Sequence, residues 1–276
     1  MARCLLETDE SSGALRLTGV LDASAAPAVR GALLARLGDR PGPVVADVTG
    51  LQVVDGAGWD VFAEVRREVA DWPAADLLLC DRAVAAPQQG DPTAVVPQRG
   101  DPTAVAVEGP DAASTGGSTP PVVVAGVPVW PTVDDALAAV ATTPLAAVLT
   151  AELSPTVTAA RQARELVSAG CERWGMPALV DPATIAVTEM VNNVVAHART
   201  PMTVRLAPRD STLHLAVRDH SAQQPTFAGM SPPTRAGGRG LLLIDSVTRR
   251  WGSTALPDGK VVWCVLHPDD EVAALG

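Results

Sequence analysis

The sequence predicts an α/β protein of two domains, and three observations carry that expectation. At 276 residues the chain is longer than one ordinary core accommodates. Residues 13–80 alternate short apolar strands with helical periodicity in the order β-α-β-α-β, which favours a mixed or parallel sheet with helices packed on it. Residues 202–219 instead place two cleanly alternating strands one after the other, the mark of an antiparallel hairpin.

The elements follow in order. "GALRLTG" (13–19) sets Leu15 and Leu17 among polar or small neighbours and reads as a strand. Ser24 is placed to cap a helix whose inward face is Val29, Leu33, Leu34 and Leu37. "PVVADV" (43–48) is a short apolar strand. After a loop, Trp59, Phe62, Val65 and Val69 recur at helical spacing, and "ADLLLC" (75–80) is another buried strand. "GVPVW" (126–130) is a strand, and Thr132 caps the helix "VDDALAAVA", with Asp135 three residues on as in a capping box. "LAAVLTAEL" (145–153) reads as a strand. A helix over 156–173 buries Val157, Ala160, Ala163, Leu166 and Val167 and exposes Arg161, Arg164 and Glu165. Asp181 followed by Pro182 marks the next helix start, an N-cap before a proline at the first helical position. The hairpin strands put Met202, Val204 and Leu206, then Leu213, Leu215 and Val217, on one face. "AGGRGLLLIDSVTRRWG" is a glycine cluster opening a helix, and "GKVVWCVLH" (259–267) is a final strand.

Between the two halves the periodicity stops. "PQQGDPTAVV" (87–96) is followed at once by "PQRGDPTAVA" (97–106), a tandem repeat with two changes. Pro, Gly, Asp and Thr dominate it, and two copies are too few for a solenoid. The expectation is a flexible insertion over 87–121 within a first domain of residues 1–143, with the second domain over 144–276. A proline-rich docking site is the lesser alternative, since neither copy contains PxxP.

Charge and cysteines narrow the function. The net charge is −10. Residues 1–143 hold 9 basic and 19 acidic side chains, and residues 144–276 hold 12 of each. Neither half is the basic surface that a phosphate backbone demands, so no direct nucleic-acid partner is expected. The four cysteines are far apart in sequence, form no CxxC pair and sit among apolar residues. They read as buried reduced thiols. "MARCLLETDESSG" has no long apolar core for a signal peptide, and no apolar run is long enough to span a membrane. The expected location is cytoplasmic, without a membrane partner. Of the 21 basic residues only Lys260 is a lysine, which by itself reads as a compositional bias.

The stretch "TEMVNNVVAHA" (188–198) raises the functional question. Two adjacent asparagines in a helix interior are costly, because the short amide competes for the backbone. On a wheel at about 100° per residue, Val187, Met190, Val191, Val194, Val195 and Ala198 fill one side. Glu189, Asn192, Asn193 and His197 cluster on the other. Glu189 and Asn193, and Asn193 and His197, are four apart and stack along one stripe. An amphipathic helix with a solvated face would show the same pattern. Two later features go beyond it. Asp219 ends a strand just where the apolar alternation ceases. Gly237, Gly238 and Gly240 fall at a loop–helix junction, where backbone N–H groups approach an anion.

These segments in this order resemble an ATP-binding domain of the GHKL class, most closely the small anti-sigma-factor serine kinases. "TEMVNNVVAHA" is similar to their N-box and "VRDHSAQQP" to a reduced first glycine box, while "GGRGLLLIDSVTRRWG" and "GKVVW" match the rest. The resemblance covers residues 145–267. It implies a Bergerat-type α/β sandwich, an antiparallel sheet with helices on one face. It implies ATP and Mg²⁺ as cofactors. Asn193 would ligate Mg²⁺ through its amide oxygen, and Asp219 would accept a hydrogen bond from the adenine amino group. Gly238, Arg239 and Gly240 would face the phosphates. Glu189 would be the general base for a serine hydroxyl or water. Asn192 and His197 would line or support the site. His-Ser-Ala-Gln follows Asp219 in place of the family's glycines, with Ser221 at the first of them. No histidine precedes residue 197, so nothing stands where a histidine kinase carries its phosphoacceptor.

Residues 13–143, without the insertion, resemble a STAS domain, the fold of anti-sigma-factor antagonists. "LTGVLDASAAPAVRGAL", "VVADVTGLQVVDGAGWDVF" and "TVDDALAA" carry the likeness. Regulated members place a phosphorylated Ser or Thr after a loop Asp and just before a Gly. Here the segment is Asp55-Gly56-Ala57-Gly58, and the methyl of Ala57 accepts no phosphoryl group. The combined resemblance implies a serine/threonine kinase acting on a separate STAS-type antagonist in a partner-switching pathway. A sigma factor would be a further partner and a homodimer a natural assembly. The alternative is a nucleotide-responsive binding module without significant kinase activity, its STAS domain serving for docking.

Overall fold

The computed structural model describes residues 4–40, 42–54, 56–84, 121–124, 126–142, 147–223 and 239–270. The repeats of the expected insertion, and Gly238 of the expected phosphate loop, lie outside them. The chain divides into two compact units, residues 1–30, 43–67 and 76–144 in one and residues 31–42, 68–75 and 145–276 in the other.

The N-terminal sheet is mixed, as the β-α-β-α-β order implies. Its strands are β1 (Leu5–Thr8), β2 (Leu15–Leu21), β3 (Val44–Val53), β4 (Leu77–Cys80), β5 (Val122–Val124) and β6 (Val127–Trp130), in the order β1-β2-β3-β4-β6-β5. The four inner strands run parallel, and the two outer strands pair antiparallel. The helices are α1 (Ala26–Asp39), α2 (Gly56–Glu68) and α3 (Val133–Thr142). Val29, Leu33, Leu34 and Leu37 of α1 are buried, as their spacing requires. At α3 the Thr132 hydroxyl oxygen accepts the Asp135 N–H at 3.1 Å and donates to the Asp135 carboxylate at 2.6 Å. Thr132 is thus an N-cap.

Ser24 does not cap α1. Its N–H and hydroxyl both donate to Asp22 Oδ1, at 2.9 and 2.7 Å, and that oxygen also accepts the Ala25 N–H. The carboxylate two residues upstream is the stronger acceptor and organises the turn.

The C-terminal sheet has five antiparallel strands, β7 (Leu149–Leu153), β8 (Met202–Arg209), β9 (Thr212–Asp219), β10 (Arg250–Leu256) and β11 (Gly259–Leu266), in the order β10-β11-β9-β8-β7. Three helices pack on it: α4 (Ala159–Arg173) against β7 and β8, α5 (Val180–Asn193) against β9 and β11, and α6 (Arg239–Val247) against β10. The core joins Ala163 and Val167 of α4, Val187 and Met190 of α5 and Ile244 of α6 to the alternating Val204, Leu206, Leu215 and Val217 of the hairpin. Gly170 lets α4 lie close. A Cβ there would come within 2.7 Å of Leu206 Cδ1 and 3.0 Å of the Trp174 ring.

Two expectations about helix starts are corrected. Val157 is 94% exposed, because the turn through Ser154 and Thr156 delays α4 until Ala159. Asp181 is not an N-cap. A 3₁₀ turn over Pro177–Leu179 runs directly into α5 from Val180, and Asp181 makes no capping bond. Pro182 is tolerated because the first turn's N–H groups have no helical partner in any case.

All four cysteines are free. Cys80, Cys171 and Cys264 are buried, and burial pushes the thiols of Cys80 and Cys264 up to about 12. Among the described residues no helix is long and apolar enough to cross a membrane.

Candidate functional site

The site residues come from three elements of the C-terminal unit. Glu189 and Asn193 lie on α5, one turn apart and both half-buried. Asp219 closes β9, on which α5 packs. Arg239 and Gly240 open α6, which packs on α5. α5 thus packs both on the strand that Asp219 closes and on the helix that Arg239 opens.

The polar cluster of the helix splits at Asn193. From Val194 to Ala198 the chain is π-helical, closed by the Arg199 N–H donating to the Val194 carbonyl at 2.7 Å, with Arg199 left-handed at φ 55°. The wider turn ends the four-residue stacking that would have aligned His197 with Asn193. Asn192 and His197 are exposed, whereas Glu189 and Asn193 are not. Single π turns of this kind are frequent at functional sites.

Asp219 is fully buried. It stands in the same strand phase as Leu215 and Val217, so it points to the helix-covered face. Its Oδ1 accepts the Ser221 N–H at 2.8 Å and the Lys260 ammonium at 2.9 Å. Oδ2 lies 2.8 Å from the same ammonium, yet accepts no well-directed hydrogen bond among the described residues. Lys260 also donates to the Ser221 carbonyl at 3.3 Å.

The residues directly after Asp219 form a turn without the glycines of the fuller motif. The bond from Ser221 N–H to the Asp219 carboxylate is an Asx turn, which reproduces a backbone turn with a side chain. Ser221 keeps an ordinary negative φ. His220 is anchored through its N–H to Thr200 Oγ1 at 3.1 Å. The required glycine is instead Gly259, at φ 151°, where a Cβ would stand 2.0 Å from the Asp219 carbonyl oxygen. Beside it Arg218 donates to that carbonyl and pairs with Asp258 at 2.8 Å.

Lys260 is the partner of Asp219 that sequence reasoning missed. It lies directly across from Asp219 in the β9–β11 register. The signal was present: Lys260 falls in phase with Val262, Cys264 and Leu266 of the core face, where a lone charge requires a partner.

Residues 153–266 match the family model of the histidine kinase-like ATPase domain, and residues 4–72 match that of the Mlab STAS domain. No curated protein matches the chain. Among solved structures, the RsbU and RsbW domains of Rv1364c from Mycobacterium tuberculosis are similar, with 18% identity and a TM-score of 0.35 over 44% of this chain and 31% of that one. The histidine kinase domain of the blue-light activated histidine kinase EL346 from Erythrobacter litoralis is similar with 14% identity and a TM-score of 0.27, over 39% of this chain and 60% of that one. This chain spans less than two thirds of the length of each of those chains. The two family matches together show that this chain carries an N-terminal STAS domain followed by a C-terminal histidine kinase-like ATPase domain.

Proposed function

We propose that the chain is an Mg-ATP-binding regulatory kinase that phosphorylates a serine or threonine on a separate STAS-type antagonist. The observation that carries the reading is Asp219. A fully buried carboxylate with an unfilled acceptor oxygen is costly unless a ligand completes it, and a base amine is a fitting donor.

The residues fit the group the family implies. Asp219 would hold the base. The Asn193 amide oxygen is a hard neutral donor suited to Mg²⁺, the rest of whose shell belongs to phosphates and water. Among the described residues no group of three or more His, Cys, Asp or Glu could cage a metal alone. Gly238, Arg239 and Gly240 would face the phosphates at the start of α6, where free N–H groups and the helix dipole favour an anion. When bound, Mg-ATP supplies the transferable phosphoryl group. Glu189, half-buried one turn before Asn193, accepts the proton of the attacking hydroxyl.

Ala57, in the first turn of α2, makes the acceptor a different molecule. The chain's own STAS domain serves for docking or regulation. A sigma factor as the antagonist's other partner, and a homodimer through the ATPase domain, extend the same reading.

A second reading is favoured by a specific observation: the Asp219 carboxylate already has a cation beside it. On that reading nucleotide occupancy tunes docking without transfer. Calorimetric titration of Mg-ATP into wild type and Asn193→Ala tests the site. Binding that weakens sharply in the variant, or without Mg²⁺, supports it, and no binding by wild type sinks it. Phosphoryl transfer to a panel of STAS proteins, reduced about 10²–10⁴-fold in Glu189→Gln, then separates the kinase from the binding module. Tight binding with no transfer favours the module.

A further inference from the structure

Lys260 and Asp219 form a matched donor and acceptor. The ammonium has three hydrogens to donate. Among the described residues it donates to Asp219 Oδ1 at 2.9 Å and to the Ser221 carbonyl at 3.3 Å, which leaves one. Asp219 Oδ2, 2.8 Å away, has an acceptor to spare. Both side chains are more than nine-tenths buried and stand directly opposite on neighbouring strands. A spare donor and a spare acceptor at this spacing match a flat heterocyclic edge that offers an acceptor beside a donor.

A surface lysine would add nothing here, since an exposed ion pair contributes little. A buried pair is costly to desolvate and stabilises poorly compared with apolar packing. Val or Leu at position 260 would continue the core face of β11 at lower cost. Retention of a cation on that face is explained if it meets a ligand.

We infer that Lys260 is a base-reading residue of the nucleotide site, donating to the ring nitrogen N1 of adenine while Asp219 accepts from the neighbouring exocyclic amine. The inference rests on the proposed nucleotide site. It assigns base recognition to two side chains acting together rather than to the aspartate alone. The Asx turn at Ser221 fixes the carboxylate, and the Ser221 carbonyl helps to fix the ammonium, so both groups are held before a base arrives.

The test compares ATP with 1-deazaadenosine triphosphate, which carries a C–H in place of N1, by calorimetric titration into wild type and Lys260→Met. Wild type should bind ATP at least tenfold more tightly than the analogue. In Lys260→Met that preference should fall to about twofold or less, because the analogue has nothing to lose. Wild type that binds both equally overturns the inference without any variant, so a Lys260→Met chain that fails to fold does not shelter it. A preference that survives in Lys260→Met also overturns it, as does a variant that binds ATP more tightly, which would make the lysine a counter-ion that nucleotide must displace. Tighter binding of GTP than of ATP by wild type would assign the pair to a 6-oxopurine and reject adenine. No binding of any of these nucleotides would remove the nucleotide site itself, and the inference with it.

Discussion

Replacing Gly259 by alanine should damage both the fold and the site, and the structure sets the scale. The added Cβ would stand 2.0 Å from the Asp219 carbonyl oxygen, 2.5 Å from Arg218 Nη1 and 2.8 Å from the His220 Cα, against the 3.4 Å at which ordinary contact begins. Two of these three atoms are backbone and have no rotamer to escape into. The φ of 151° adds strain for any L side chain. Backbone strain and overpacking each cost about 1–3 kcal/mol, so the loss should be about 2–6 kcal/mol. That corresponds to roughly 4–24 °C in Tm for a unit of this size. Relief requires the end of β9 to move, which takes the Asp219 carboxylate away from Lys260, so nucleotide affinity should fall as well. Gly175→Ala is the control. Gly175 has φ 66° but nothing within 4 Å of its Cβ position, so it should lose only about 1 kcal/mol. Thermal unfolding followed by circular dichroism, with Mg-ATP titration into each variant, reads both effects. Equal melting of the two variants, or a Gly259→Ala chain with wild-type nucleotide affinity, would refute the reasoning.

Two further outcomes follow from the core. At pH 8 in native buffer, Ellman's reagent should find Cys4 first, as the least buried thiol. Cys80 and Cys264, pushed up to about 12 by burial, stay protonated and react only on unfolding; rapid reaction of all four thiols in the folded protein would contradict the burial. Met190→Ala should cost about 2–5 kcal/mol, measured by urea denaturation, because the side chain is only 2% exposed at the centre of the C-terminal core; a loss below about 1 kcal/mol would mean that α5 is not packed as described.

The parts of the fold legible in the sequence are those with one face buried and the other wet. The inward face of α1 and the hairpin of β8 and β9 announce themselves by spacing. So does the cap at Thr132, because capping needs only two residues three apart. Three of the outer strands were not legible, although β7 was. β1 and β5 expose Leu5, Val122 and Val123, and β10 lies at the edge of its sheet, so none carries the alternation of an inner strand. Ser24 and Asp181 were read as caps on residue type, whereas the choice was made by Asp22 in one case and by a preceding 3₁₀ turn in the other. Of the proposed site residues, Glu189, Asn193 and Asp219 were named from a motif and its resemblance. Lys260 was not, because its partner is 41 residues away in sequence and only strand register brings them together.

The π turn after Asn193 sets a rule for length changes in this stretch. A π turn is a helix that carries one residue more than its α-helical bonds can absorb, and here that residue falls between Val194 and Ala198. Deleting one residue from this stretch would let the helix close in α form through its end. The surplus is therefore slack lying downstream of Asn193 and upstream of β8. A one-residue deletion there should be better tolerated than one between Glu189 and Asn193, which would turn Glu189 and the part of α5 before it by about 100° relative to Asn193. The chain has kept its irregular turn where it leaves the spacing of Glu189 and Asn193 intact.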